Sequence, residues 1–182
     1  VIGHSWGGFS ALNISAFHPD LSHIVALSGF VSVELLVNSC FGGLLKGYRK
    51  AVMQVEQSAN PDFVGCQAVE SLSKTKAKVL LIYSDNDRLC RKEVHYDALK
   101  KGLEGKENIR FLLEQGKGHN PNYTADAVKY LGEYGSQRAK RMRKKQSETD
   151  LQKKEFLASW DWDRMTAQDE RVWDEIFRCF DS

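Results

Sequence analysis

The sequence predicts an α/β fold with a parallel β-sheet flanked by helices, and two observations lead to this prediction. Short apolar runs at residues 23–29, 78–83 and 108–113 alternate with longer stretches of helical periodicity. The chain also opens on Val1 and Ile2, an apolar pair that leads directly into a glycine-rich turn. Buried strands that alternate with helices are typical of a parallel sheet covered on both faces.

Each predicted element follows from a local pattern. The apolar runs have the length of strands and end near small or turn-forming residues. The helical stretches place apolar residues three or four positions apart, and Pro19, the Gly42–Gly43 pair and Gly105 interrupt them. After the opening strand, the predicted elements are helix 9–17, strand 23–29, helical stretch 33–58, a helix ending at Leu72, strand 78–83, helix 91–103, strand 108–113 and helix 124–134.

The composition argues against several classes of protein. A net charge of +2 over 182 residues, with 42% hydrophobic residues, suits a globular domain and gives no reason to expect a nucleic-acid partner. No apolar run reaches the roughly 18 residues of a membrane span. The cysteines show no metal-ligand spacing, and we expect free thiols in a cytoplasmic protein without a metal or organic cofactor. They are Cys40, Cys66, Cys90 and Cys179.

The opening turn has the pattern G-x-S-x-G. Gly3 and Gly7 flank Ser5 in the segment Gly-His-Ser-Trp-Gly, which we name the elbow (residues 3–7). Such a segment marks a sharp strand-to-helix turn that exposes a serine hydroxyl at the top of a sheet. Ser5 is therefore the candidate nucleophile, and the backbone N–H of Trp6 is a candidate oxyanion donor. The alternative is a glycine-rich turn with an incidental serine.

A serine needs a base that takes its proton, and His119 is the best candidate. It follows the strand 108–113, so we expect it at the same sheet edge as Ser5. An acid should hold the imidazole in the correct tautomer. Asp85 and Asp87 both follow the strand 78–83, and the spacing alone leaves both open.

The order Ser5, Asp87, His119 resembles that of the α/β-hydrolase superfamily, and particularly its serine esterases and prolyl-oligopeptidase-like hydrolases. The matching segments are GHSWGG at 3–8, VLLIYSDND at 79–87 and GKGH at 116–119. The resemblance favours Asp87 over Asp85, because the family's acid follows the strand-end glycine, here Ser84, by three residues.

The resemblance also implies a division of the chain. Residues 1–135 would form the C-terminal part of an α/β-hydrolase domain. Residues 33–75 would be a helical cap insert over the site, and residues 136–182 a charged helical C-terminal extension. Only Val1 and Ile2 precede the elbow. We therefore expect the early strands and the second oxyanion donor to lie upstream, and residues 1–182 alone to be inactive or poorly folded.

The function that these residues predict is hydrolysis of a carboxylic ester, or less favourably a short peptide or amide, through a Ser-His-Asp triad and an acyl-enzyme. Two alternatives use the same pocket. One is a catalytically silent binding protein, and the other is an acyl transferase. The expected partner is a small-molecule ester or short peptide, and the amphipathic tail could support a homo-oligomer.

The tail, residues 136–182, differs in character from the rest. It begins with a basic run, residues 137–145, which we interpret as a solvated helix face rather than an anion site. Trp160 and Trp162 are interpreted as residues that pack the tail onto the body, with a substrate groove as the alternative. His4, His18, His23 and His95 are interpreted as structural or surface residues, because their spacing does not suit a metal.

Local signals predict two ordered helices in this tail. Thr149 with Gln152, and Thr166 with Asp169, have the spacing of helix N-terminal capping pairs. Apolar residues recur at helical spacing over residues 172–180.

Overall fold

A parallel four-stranded sheet lies at the centre of the computed structural model, which describes residues 1–143 and 149–181. Its spatial order is the order of the sequence. The strands are β1 (Ile2–His4), β2 (His23–Leu27), β3 (Lys78–Ser84) and β4 (Ile109–Glu114). The register aligns Val25 with Ile2 on one side and with Leu80 on the other. Because the strands are parallel, their carboxyl ends meet at one edge, as the sequence predicts.

Helices follow each strand. They are α1 (Trp6–Asn13), α2 (Val33–Cys40), α3 (Tyr48–Ala59), α4 (Ala68–Lys74), α5 (Tyr96–Gly102), α6 (Ala125–Arg143), α7 (Asp150–Ala158), α8 (Trp162–Met165) and α9 (Glu170–Phe180), with 3₁₀ turns at Ile14–Ala16 and Gly43–Gly47. The helical stretch 33–58 is interrupted at Gly42 and Gly43, as predicted. The helix predicted at 124–134 is longer and runs without a break across the boundary at residue 135.

The two faces of the sheet bury different helices. Alternate strand residues such as Val79 and Leu81 point to a cluster with Leu12, Leu72 and Leu99 of α1, α4 and α5. Their neighbours point the other way, as the two-residue period of a strand requires. On that second face, Leu80 and Ile82 pack against buried residues of α9, namely Val172, Ile176 and Cys179. The C-terminal extension therefore supplies a layer of the core.

A third apolar cluster joins the elbow helix to the helical insert. Phe9 of α1 and Phe30 stack with ring centroids 4.5 Å apart. Val33 and Val37 of α2 pack against them, together with Val64. The segment 33–75 is thus attached beside α1. Its role as a cap over the site stays a prediction.

The indole rings of the tail pack against other aromatic rings. Trp160 lies 5.1 Å from the ring of Tyr130 and 5.3 Å from that of Tyr134, both on α6. Trp162 contacts Tyr134 as well, at 5.7 Å. These contacts agree with the packing interpretation. The basic run 137–145 lies on α6 as far as residue 143, and its last two residues lie outside the described residues.

Capping explains where two tail helices begin. Thr149 and Gln152 form the predicted capping box at the start of α7. The prediction for Thr166 was wrong, because Asp169 itself caps α9 and Thr166 instead donates to the carbonyl of Trp162 in α8. The segment 149–181 contains three helices rather than two. Among the described residues, no helix combines the length and apolar character needed to cross a membrane.

Candidate active site

The elbow places Ser5 between the end of β1 and the start of α1. Its backbone has φ 58° and ψ −115°, a left-handed conformation that costs a non-glycine residue about 1–3 kcal/mol. The N–H of Ser5 donates to the carbonyl of Leu27 at 2.9 Å, which anchors the turn to β2. The strained turn lifts the hydroxyl above the sheet edge, as a nucleophile requires.

Glycine is required at two positions around this turn. A Cβ on Gly3 would lie 2.0 Å from the carbonyl oxygen of Gly7. A Cβ on Gly8 would lie 2.8 Å from the Cα of Gly29 and from the carbonyl of Leu27. By contrast, a Cβ on Gly7 would meet nothing within 4 Å. Of the two glycines that flank Ser5 in the elbow, only Gly3 is therefore sterically required.

The three side chains that the sequence singled out lie in one hydrogen-bonded row. Ser5 Oγ is 2.9 Å from His119 Nε2. On the other side of the ring, His119 Nδ1 is 2.8 Å from Asp87 Oδ2. A neutral imidazole that donates from Nδ1 to the carboxylate presents Nε2 as an acceptor for the hydroxyl proton. The order and distances are those of a nucleophile, a base and an orienting acid.

The Asp87 carboxylate is kept charged despite its burial. Its side chain has no exposed surface. Burial by itself raises the pKa of Asp87, but the hydrogen bond from His119 and those from the backbone N–H groups of Leu89 and Cys90 bring the pKa below its ordinary value. An ionised Asp87 stabilises the imidazolium that forms when His119 takes a proton.

Three residues before Asp87 hold the loop that carries His119. Asp85 Oδ1 accepts a hydrogen bond from the N–H of Gly116 at 2.8 Å. Ser84 Oγ accepts from the N–H of Lys117 at 3.0 Å, and Asn86 Oδ1 from that of Gly118 at 2.7 Å. Together with the Asp87–His119 pair, these contacts align residues 84–87 with residues 116–119.

This alignment separates the two candidate acids, because Asp85 contacts backbone and Asp87 contacts the imidazole. Sequence reasoning missed the supporting roles of Ser84 and Asn86. The signal for them was the run of four polar side chains directly after β3.

His4 also contributes to the site, although sequence reasoning gave it only a structural place in the elbow. Its Nε2 donates to the carbonyl oxygen of His119 at 2.6 Å, and the two rings lie 4.9 Å apart. Burial lowers the pKa of His4, which favours the neutral ring. His4 thus connects the elbow with the loop of His119. His18, His23 and His95 lie outside this row.

Comparisons with known proteins give structural similarity only. No family model matches the chain, and no curated protein matches it. Among solved structures, a putative dipeptidyl aminopeptidase IV from Bacteroides ovatus shares 19% identity over 75% of this chain, with a TM-score of 0.49. A monoacylglycerol lipase from Paleococcus ferrophilus shares 18% identity over 65% of the chain, with a TM-score of 0.48. Est1E from Butyrivibrio proteoclasticus shares 18% identity over 75%, with a TM-score of 0.44.

The chain spans 18%, 58% and 59% of these three proteins, respectively. The assignment of the fold comes from this chain's own geometry, in which a parallel strand leads through a strained serine elbow into a helix, and an acid and a histidine follow later strands in that order. The chain has part of an α/β-hydrolase fold.

In this α/β-hydrolase fold, aromatic side chains pack together beside the elbow. Trp6 packs edge-on against Phe30 with ring centroids 4.8 Å apart, and half of its surface is exposed. A cleft of about 200 Å³ lies between α1 and the helical insert, next to the elbow. Its apolar lining includes Trp6, Phe9, Val33 and Phe63. Ser10, Glu56 and Asn60 supply its polar lining. A mostly apolar cleft next to the elbow suits an acyl chain or a hydrophobic leaving group.

The C-terminal segment holds the far side of the His119 loop. Lys117 Nζ forms an ion pair with Asp169 Oδ2 at 2.8 Å and also donates to the carbonyl of Tyr123. The Lys117 side chain is only 8% exposed and that of Asp169 21%. The N–H of Asp169 also donates to the carbonyl of Asn122 at 2.8 Å. Residues beyond 135 thus fix the loop two residues from His119.

Proposed function

We propose that this chain carries the catalytic residues of a serine hydrolase that cleaves carboxylic esters. The observation that carries the proposal is the hydrogen-bonded row of Ser5, His119 and Asp87, with distances of 2.9 Å and 2.8 Å. A catalytically silent binding protein has no use for a strained serine that faces a histidine hydrogen-bonded to a buried aspartate.

The proposed reaction begins when Ser5 Oγ attacks the ester carbonyl while His119 Nε2 accepts the hydroxyl proton. Asp87 stabilises the imidazolium, and His119 then returns the proton to the leaving alcohol. Water cleaves the acyl-enzyme by the same route, with His119 acting again as base and then as acid. No step requires a metal or an organic cofactor.

The start of α1 supports the developing oxyanion. Trp6 is the first residue of α1, and the first N–H groups of a helix have no acceptor within the helix. The Trp6 N–H therefore stands next to the nucleophile as a donor for the oxyanion. One donor of this kind contributes about 10²–10³-fold to turnover.

Esters are favoured over peptides as substrates by the mostly apolar cleft next to the elbow. Five of the eight residues that line it are aromatic or aliphatic, which suits an acyl chain, and Ser10, Glu56 and Asn60 are the polar part of its lining. Acyl transfer would follow if an alcohol displaced water in the second half of the reaction.

The test is active-site labelling of the natural polypeptide that contains residues 1–182. A fluorophosphonate probe should modify Ser5, as mapped by peptide mass, and the adduct should be lost in Ser5→Ala and His119→Ala. Ser58→Ala is the matched control, because Ser58 is exposed on α3, donates to the carbonyl of Gln54 and lies outside that cleft. A folded wild-type protein that the probe leaves unmodified would sink the proposal.

Substrate preference is tested separately. Nitrophenyl esters of increasing acyl length and matched peptide anilides are compared by kcat/KM. We expect the esters to be cleaved faster, and a higher kcat/KM for the anilides would reverse the assignment of substrate class.

A further inference from the structure

A thiol lies beside the acid and the base, and the proposed hydrolysis does not use it. Cys90 follows Asp87 by three residues, and its backbone N–H donates to Asp87 Oδ1 at 3.0 Å. The turn that this bond closes brings one ligand atom each from Asp87, Cys90 and His119 within 4.8 Å of one another. Carboxylate, thiolate and imidazole together are a ligand set for a borderline-soft cation.

The environment of Cys90 excludes the usual chemistry of a cysteine. Its residue surface is 1% exposed. Burial, and after it the negative charge of Asp87, raises the pKa of the Cys90 thiol far above its ordinary value. A protonated, buried thiol is a poor nucleophile and resists oxidation. A dication reverses this balance, because coordination removes the proton from a thiol outright.

The geometry points to an inhibitory site for a soft divalent cation such as Zn²⁺, ligated by the Asp87 carboxylate, the Cys90 thiolate and His119 Nδ1. On binding, the Cys90 thiol releases one proton to water, and the proton on His119 Nδ1 moves to Nε2. The two negative charges, on Asp87 and Cys90, balance the charge of the ion, so the occupied site is neutral. Water completes the coordination.

Formation of the site requires side-chain movement, because the three ligand atoms lie within 4.8 Å of one another rather than at coordination distances. Zinc bond lengths place two ligand atoms about 3.3–3.7 Å apart in a tetrahedral site. For a nitrogen and an oxygen ligand the separation is about 3.3–3.5 Å, so His119 Nδ1 and Asp87 Oδ2, now 2.8 Å apart, must open by about 0.5–0.7 Å. The His119 side chain is 22% exposed, whereas that of Asp87 has no exposed surface, so entry is from the His119 side.

Occupation of this site removes the base, an effect that rests on the proposed hydrolase function. With the ion on Nδ1, the remaining proton sits on Nε2 and faces Ser5 Oγ, 2.9 Å away. Nε2 then donates and cannot accept the hydroxyl proton. The ion therefore abolishes the reactivity of Ser5 without binding to Ser5, and a chelator that removes the ion restores this reactivity.

The test measures binding and inhibition separately. Cd²⁺ added to the Ser5→Ala variant should give an ultraviolet thiolate-to-metal charge-transfer band. The band should be absent from the double variant that carries both Ser5→Ala and Cys90→Ala. Zn²⁺ should inhibit probe labelling of the wild type. The concentration for half-inhibition, measured against each variant's own metal-free rate, should rise at least about tenfold in Cys90→Ala, since even an indirect partner of a metal is worth about 10–100-fold in affinity.

Cys66→Ala is the matched control, because Cys66 is partly buried and lies outside the three-ligand group. It should leave both the band and the half-inhibition concentration unchanged. Equal Zn²⁺ sensitivity of wild type and Cys90→Ala would overturn the site, as would a folded Ser5→Ala protein without a Cd²⁺ band. A Cys90-dependent band in a protein that no probe labels would instead remove the hydrolase proposal and leave the metal site standing.

Discussion

The ion pair between Lys117 and Asp169 connects the C-terminal segment with the loop of His119. Its removal should therefore lower the stability of the chain and slow the labelling of Ser5. Asp169→Asn removes the charge but keeps a good helix cap, because Asn and Asp cap helices about equally well. The substitution therefore isolates the ion pair from the capping of α9.

The expected magnitude follows from burial. The Lys117 side chain is 8% exposed, so its ammonium group would keep the carbonyl of Tyr123 and lose its charged partner. Hydrogen bonds to charged groups contribute about 1.5–3 kcal/mol, and we expect a loss of that size in the free energy of unfolding. For a chain of this length the melting temperature should fall by about 3–12 °C.

The pH dependence has a definite sign. The hydrogen bond from Lys117 lowers the pKa of Asp169 below its ordinary value. The stabilisation is therefore complete above the ordinary aspartate pKa of about 3.9 and is lost as the pH falls through the lowered value. The difference between wild type and Asp169→Asn should be constant near neutral pH and should shrink below about pH 4.

Urea unfolding measures the stability, and fluorophosphonate labelling reports the effect on Ser5. The labelling rate of Asp169→Asn should be lower than that of wild type, because Lys117 lies two residues from His119. Asp150→Asn is the matched control. Its pair with Lys153 is exposed, and such pairs contribute about 0–1 kcal/mol. If the free energy of unfolding of Asp169→Asn lies within about 0.5 kcal/mol of the wild-type value, the inference that the tail stabilises the His119 loop is refuted.

Two further substitutions, at Gly8 and at His95, test the packing around the site. Gly8→Ala should destabilise the chain by about 1–3 kcal/mol in urea unfolding, since its Cβ would lie 2.8 Å from the backbone of Gly29; Gly7→Ala, with open space, is the control. Burial lowers the pKa of His95 to about 4, so wild-type stability should fall by about 3 kcal/mol as the pH drops from 6.5 to 4. His95→Asn, which retains an acceptor for the Val31 N–H, should flatten the dependence of stability on pH between 6.5 and 4. An unchanged pH dependence would contradict its attribution to His95.

The strands were the most predictable part of the fold. Buried parallel strands are continuous apolar runs, and the runs at 78–83 and 108–113 match β3 and β4 to within one residue at each end. The run at 23–29 was predicted two residues too long. Ser28 has φ 45° and turns the chain out of β2, a backbone conformation that the apolar pattern does not encode.

The candidate site was predictable in its principal residues and not in its supports. The elbow has a sequence pattern, and the chain order of acid and histidine follows from parallel topology. The hydrogen bonds that His4 donates to His119, and those that residues 116–118 donate to residues 84–86, depend on how two loops lie side by side. No short-range pattern encodes that register, so only the polar composition of residues 84–87 hinted at it.

The capping errors in the tail have a similar cause. Thr166 and Asp169 are both residue types that suit the N-cap position of a helix, and their three-residue spacing predicted Thr166 as the N-cap. Tertiary contacts decided otherwise, because Asp169 is held in place by Lys117 while its other oxygen accepts from the N–H of Arg171. The single residue that caps α9 is also the one that anchors the loop of His119.

The spatial order of the strands bears on the moment at which the chain becomes reactive. Each strand pairs with the one made just before it, so the sheet can grow from one edge as the ribosome delivers the chain. Ser5 and His119 are separated by 114 residues, and the entropy of closing so long a loop is offset only once the intervening strands are in place. In a nascent chain Ser5 and His119 therefore stay apart until β2, β3 and β4 have paired.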